Sequence, residues 1–193
     1  SVFQCDVTNE DEVNKIISNI NSTFGEIDVV VFAITSALKN TRILKLDWGE
    51  YNSHFDIQIK PMFFVMKALS EQINAKYKTK FIVLLTEYCI GSPPKGLSNY
   101  VTSKYAAMGM AKTMAIELSQ YNSTVNMISP GMVETPLLDT LPAKLIELTS
   151  QQNPLRRNAQ PDDVSSAISF LASDQSDYLN GANIVINGGG IMQ

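Results

Sequence analysis

The feature that most constrains this chain is a repeated change of hydrophobic period. Val13, Ile16, Ile17, Ile20 and Phe24 recur at helical spacing, and the segment Ile27 to Ala33 that follows is a near-continuous β-branched run. The change recurs around Phe81-Ile82-Val83-Leu84-Leu85, Val125-Asn126-Met127-Ile128-Ser129 and the stretch 183–187. An unalternating apolar run flanked by helices suits a parallel strand covered on both faces. Strands that alternate with helices throughout give an α/β fold built on a parallel sheet.

Local signals set the boundaries. Val2-Phe3-Gln4-Cys5 reads as a first short apolar run ending at Asp6. Thr8 with Asp11 resembles a capping box, and Gly25 suits a helix C-terminus. Asp47 is expected to cap a helix running through Tyr51, Phe55 and Ile59, which Pro61 should interrupt or kink before it resumes over 63–73. There follow a strand at 80–86, a loop at 87–98, a helix at 99–119, a strand at 124–129 and a polar loop. Helices near 139–150 and 161–173 come next, the second opened by Pro161, and a strand at 183–187 closes the order. No repeat, low-complexity tract or linker interrupts the 193 residues, so one domain over 1–193 with a sizeable core is expected.

Composition narrows the function classes. Hydrophobic residues make up 45% and charged residues 18%, the balance of a globular protein and not of a disordered one. A net charge of −4 without a basic block gives nucleic-acid binding no electrostatic support. The apolar runs are strand-length, so no membrane span is expected, and Ser1 opens no signal-peptide pattern. A cytoplasmic location is the expectation. Cys5 and Cys89 have no metal-ligand spacing and read as small apolar residues; no metal site is expected. His54 is the only histidine, which excludes a Ser-His-Asp triad unless it supplies the base; it reads as a partly exposed helix residue.

Asn99-Tyr100-Val101-Thr102-Ser103-Lys104 stands near the middle, at the opening of a predicted helix. Residues four apart share a helix face, so the polar ends of Tyr100 and Lys104 can meet in one small volume. A nearby ammonium favours phenolate and is expected to lower the phenol pKa, making Tyr100 a better general acid or base. The competing reading is a solvated helix face.

Taken in order, Tyr100-x-x-x-Lys104, a strand ending in Ser129-Pro130-Gly131-x-Val133-x-Thr135, and a late Asn187-Gly188-Gly189-Gly190 resemble the short-chain dehydrogenase/reductase family. The nearer likeness is to its 3-oxoacyl-acyl-carrier-protein-reductase-like members, which act in fatty acid biosynthesis. The resemblance runs from Asp6-Val7 to Gly190 and implies a Rossmann-like, doubly wound parallel sheet. It also implies an NAD- or NADP-dependent oxidoreductase acting on a small carbonyl or alcohol substrate.

What the resemblance implies is carried by strand ends, where open α/β sheets bind ligands. Asp6 and Val7 match the pair that touches adenine; an Asp that simply opens a loop is the competing reading. Phe32-Ala33-Ile34-Thr35 stands where the family has Asn-Asn-Ala-Gly, and Ala33 and Ile34 would lie by the cofactor. The Ala33-Ile34 part is closer to enoyl reductases of the same superfamily, which space Tyr and Lys more widely. Counting back from Tyr100, the catalytic serine falls on Glu87, whose carboxylate cannot donate a hydrogen bond; Thr86 serves only with a one-residue shift of the loop. The structural asparagine falls on Gln58. Pro130, Gly131, the Val133 backbone and the Thr135 hydroxyl match the turn that holds the nicotinamide carboxamide. Asn187 to Gly190 resembles a terminal Asp-Gly-Gly, whose role is structural and feeds subunit contacts.

The same comparison implies that about sixty residues carrying the glycine-rich turn precede Asp6 in such a fold, so the expected architecture is an N-terminally truncated one. An open sheet edge invites pairing. A homo-oligomer, dimer or tetramer, is therefore expected, with helices near 63–76 and 100–119 as the interface. The leading expectation is carbonyl reduction with Tyr100 as proton donor and Lys104 on the ribose. A catalytically impaired scaffold or ligand-binding member is the alternative, and a hydrolase using Thr86 or Ser92 ranks last.

Overall fold

Four parallel strands lie side by side in chain order: β1 (Val29–Phe32), β2 (Lys80–Leu84), β3 (Thr124–Pro130) and β4 (Asn183–Ile186). They are the strands of a computed structural model that describes residues 1–192. Val31 pairs with Ile82, Ile82 with Asn126, and Ile128 with Ile184. The register puts Phe32, Phe81, Val83, Val125 and Met127 on one face, where α1 (Glu10–Phe24), α2 (Trp48–Ala68) and α4 (Ser98–Leu118) bury them. Ile82, Leu84, Ile128 and Ile184 face the other way, against α6 (Pro161–Ala172). Helices on both faces of a parallel sheet make the fold Rossmann-like, as expected. The short α3 (Ser70–Asn74) and α5 (Ala143–Gln152) complete the helices.

The helix stops follow from local chemistry. Asn9, and not Thr8, caps α1, accepting from the N–H groups of Asp11 and Glu12. Thr8 instead donates to the Asp6 carboxylate, and that turn shifts the cap by one residue. Gly25 ends α1 at φ 87, a conformation that favours glycine. The Asp47 side chain accepts from Glu50 N at 2.9 Å and opens α2 as expected. Pro61 does not interrupt α2, which runs through it to Ala68. Pro61 is buried, so packing offsets the backbone hydrogen bond that its ring removes.

Two other expectations change. Val2 to Cys5 forms no strand, because no described strand lies beside it to complete a ladder. β1 is not covered on both faces: among the described residues it pairs with β2 alone, at the sheet edge, and Val31 is 38% exposed. Among the described residues, no helix is long and apolar enough to cross a membrane.

The carboxyl ends of β1, β2 and β3 open together beside the first turn of α4. They define a cleft of about 500 Å³.

Candidate active site

The first turn of α4 supplies the chemistry. Asn99, Tyr100, Ser103 and Lys104 are all buried there, and Tyr100 and Lys104 both line the cleft. Lys104 Nζ donates to the Leu84 carbonyl at 2.7 Å, which ties the helix to the end of β2. The same Nζ lies 5.9 Å from the centroid of the Tyr100 ring. Lys104 is 3% exposed and forms no ion pair among the described residues. Burial therefore pulls its pKa down from 10.5 to about 8.

Tyr100 departs from the sequence expectation. Burial pushes its phenol up to about 12, and the Thr86 hydroxyl beside it pulls only partly the other way. Desolvation of the phenolate is the dominant effect. The consequence is a phenol that holds its proton at neutrality, as a donor must.

Thr86 and Glu87 divide after β2. Thr86 is buried, lines the cleft and stands within reach of the Tyr100 oxygen. Its hydroxyl also caps the short turn 87–89 by accepting from Tyr88 N. Glu87 lines the cleft too, but it directs its carboxylate to Asn187, which donates from Nδ2 to Oε2 at 3.1 Å. Burial raises the Glu87 pKa and the Asn187 bond partly offsets it. Thr86 therefore brings a hydroxyl to the phenol, while Glu87, the residue reached by counting back from Tyr100, brings a carboxylate to the same cleft.

Gln58 lies one helix face away and donates from Nε2 to the Ile34 carbonyl at 2.6 Å. That bond holds the turn after β1, so Ala33 and Ile34 form one wall of the cleft. Pro130, Gly131, Val133 and Thr135 form the wall opposite. An isolated parallel bridge to Ala159 uses Glu134 N and the Met132 carbonyl, leaving the Val133 N–H out of the ladder. The Thr135 hydroxyl lies 3.5 Å from the Val133 carbonyl. Asp6 and Val7 do not line this cleft, and the Asp6 carboxylate accepts from Thr8 N and Oγ1. Asn187 to Gly190 forms a tight turn, with Gly189 N donating to Asn187 Oδ1 and Gly188 and Gly189 at φ 62 and 81.

His54 is the residue that sequence reasoning misjudged. It is 4% exposed, and its ring meets the Tyr100 ring edge-on at 6.3 Å. The signal was its place one turn before Gln58 on the same helix face.

A nicotinamide dinucleotide fits these residues. The Lys104 ammonium carries three donors, of which Leu84 takes one, and it is buried without an ion-pair partner among the described residues in a mainly apolar cleft. Such a cation suits ribose hydroxyls, and the unladdered Val133 N–H suits an amide oxygen.

The comparisons with known proteins agree over nearly the whole of this chain. The family model described as enoyl-(acyl carrier protein) reductase matches residues 1–190. The 3-oxoacyl-[acyl-carrier-protein] reductase FabG of Thermotoga maritima is 32% identical over 189 residues, 97% of this chain and 75% of that relative. The chain belongs to the short-chain dehydrogenase/reductase family.

Other members of the short-chain dehydrogenase/reductase family agree in structure. A short-chain type dehydrogenase/reductase from Mycobacterium marinum superimposes with a TM-score of 0.91 at 28% identity, covering 99% of this chain and 75% of that one. The protein ElxO, solved with NADP bound, gives a TM-score of 0.89 at 25% identity, covering 100% of this chain and 79% of that one. Membership makes the chain an oxidoreductase by family.

Proposed function

We propose that this protein reduces the carbonyl of a small acyl substrate, a 3-oxoacyl thioester, as a single Rossmann-like domain using NADPH or NADH. The observation that carries the reading is the convergence of Tyr100, Lys104 and Thr86 on one cleft. Relatives named as 3-oxoacyl-[acyl-carrier-protein] reductases supply the substrate class, and an NADP-bound neighbour supports the cofactor.

A nicotinamide held in this cleft would supply the hydride that the carbonyl carbon accepts. Thr86 donates a hydrogen bond to the carbonyl oxygen, where negative charge builds. Tyr100, protonated at neutral pH, gives its phenolic proton to that oxygen. Lys104 holds the ribose hydroxyls with the N–H groups that Leu84 leaves free, and its charge eases loss of the Tyr100 proton. The Val133 N–H and the Thr135 hydroxyl would hold the carboxamide, in a cleft that Ala33, Ile34, Pro130 and Gly131 also line. Gln58 fixes the Ile34 carbonyl and so the shape of that wall. Asp6 and Val7 are assigned to the adenine end. Leu38, Leu97, Leu137 and Leu141 give the cleft an apolar side, which suits an acyl chain and limits water at the transfer.

The catalytically impaired reading rested on Glu87, Gln58 and the turn after β1. Thr86 provides the missing donor and Gln58 reaches Ile34, which argues against impairment. Exposed Phe63, Tyr105 and Ile116 on α2 and α4, the last 77% exposed, support a homo-oligomer through those helices, to be checked by sedimentation. The same reading makes this a cytoplasmic enzyme. The decisive assay follows nicotinamide absorbance during reduction of a 3-oxoacyl thioester. A rate unaltered by Tyr100→Phe rejects the assignment.

A further inference from the structure

α2 carries the single histidine into its contact with α4, directly behind the site. The His54 and Tyr100 rings meet edge to face, with planes at 78°. His54 Nδ1 is buried and has no hydrogen-bond partner. One turn earlier on the same helix face, Glu50 Oε1 is also buried and also without a partner. An unmatched polar atom costs free energy in the interior, and a donor beside an acceptor removes both costs at once. Other polar groups on this stretch are already engaged: the Tyr51 hydroxyl donates to Thr102 Oγ1, Asn52 Nδ2 to Asp56, and Gln58 Nε2 to the Ile34 carbonyl. At the start of α4, Ser98 Oγ and Asn99 Nδ2 are unpartnered as well, so four buried polar atoms stand unmatched in this region, and Glu50 is the one carboxylate among them.

We propose that Glu50 and His54 form a carboxylate–imidazole pair, Nδ1–H to Oε1, which positions the Tyr100 ring for proton transfer. The proposal rests on Tyr100 being the proton donor. Neither residue lines the cleft, so both are positioning residues. With Nδ1 held by Glu50, the ring cannot rotate away from Tyr100, and α2 becomes a rigid backing for the phenol. The charges around His54 are Glu50 on its own helix, Lys104 on α4 and Lys39 in the loop after β1. Burial holds the imidazole below its ordinary pKa of 6.5, Glu50 draws it back up, and Lys104 and Lys39 press it down. A neutral ring keeps a second positive charge away from Lys104; acidification adds one and weakens the arrangement.

Because His54 stands alone, a chain labelled with 15N-histidine gives one pair of imidazole resonances that report tautomer and pKa. The Nδ1–H tautomer is expected at neutral pH. It should persist in Glu50→Gln, whose amide oxygen still accepts, and be lost in Glu50→Ala. An Nε2–H tautomer in the native chain, or no response to Glu50→Ala, overturns the pairing. In carbonyl-reduction assays, His54→Phe keeps an aromatic edge on Tyr100 but loses Nδ1. A fall in kcat on the order of tenfold with KM nearly unchanged is expected. Glu50→Gln should keep native kcat and Glu50→Ala should share the loss, which gives a second reading if His54→Phe fails to fold. Native kcat in both His54→Phe and Glu50→Ala, where Tyr100→Phe is inactive, overturns positioning and leaves the catalytic reading standing. Native kcat in Tyr100→Phe rejects the catalytic reading, and the positioning role with it.

Discussion

Asn187 donates from Nδ2 to Glu87 Oε2, and this bond draws the Glu87 carboxylate from β2 toward the turn after β4. Thr86, one residue earlier, is left alone beside the Tyr100 oxygen. A hydroxyl that donates to a developing oxyanion contributes about 100-fold or more to rate. Thr86→Ala is therefore expected to lower kcat by about that factor, while Thr86→Ser stays near native. Glu87→Gln, which still accepts from Asn187, is expected to leave kcat within about twofold. Steady-state kinetics on the three variants check this, and a large loss confined to Glu87→Gln would reverse the assignment.

Removing the phenol oxygen separates chemistry from packing. Tyr100→Phe keeps the ring among Leu38, Leu97 and Val101 and against His54. The melting temperature should move little, while reduction slows by about 100-fold to 10,000-fold, the contribution of a positioned acid. Calorimetry and initial rates on one preparation test both halves.

Lys104 gives opposite pH trends for activity and stability. Its folded pKa of about 8 lies below its ordinary 10.5, so the unfolded chain binds more protons between those values and stability from this group rises with pH there. The ammonium that serves the ribose and Tyr100 is lost over the same range. The rate should fall above about pH 8 while the denaturant midpoint, corrected for other groups, rises. Lys104→Met should abolish reduction and hold or raise the midpoint, since it removes a buried cation without a counter-charge.

The sheet core predicts a plain loss. Phe81 is fully buried in β2 and stacks on Phe32 of β1, with ring centroids 6.4 Å apart. Phe81→Ala should cost about 3–5 kcal/mol. Urea unfolding monitored by circular dichroism measures it, and a cost under about 1 kcal/mol would mean that the core collapses around the gap.

Much of this was legible beforehand because periodicity and helix spacing are local. The strands at 29–32, 80–84 and 183–186 fall within the apolar runs that announced them, β3 runs one residue past its expected end at 129, and Asp47 and Gly25 end their helices as expected. Tyr100 and Lys104 share a face because 3.6 residues make a turn. Pro61 was misread because its neighbours, and not its ring, decide whether a buried helix continues. Val2 to Cys5 was misread because a strand exists only beside another strand.

What the chain order alone determined is the alternation of strand and helix, the parallel sheet, and the pairing of a phenol with an amine on one helix face. Each follows from interactions within a few residues. The tertiary structure decided the rest: that Thr86 and not Glu87 meets the phenol, that burial raises Tyr100 and lowers Lys104, and that His54 lies behind the site. Those outcomes depend on solvent exclusion and on contacts such as Glu87 with Asn187, one hundred residues apart, which no local pattern encodes.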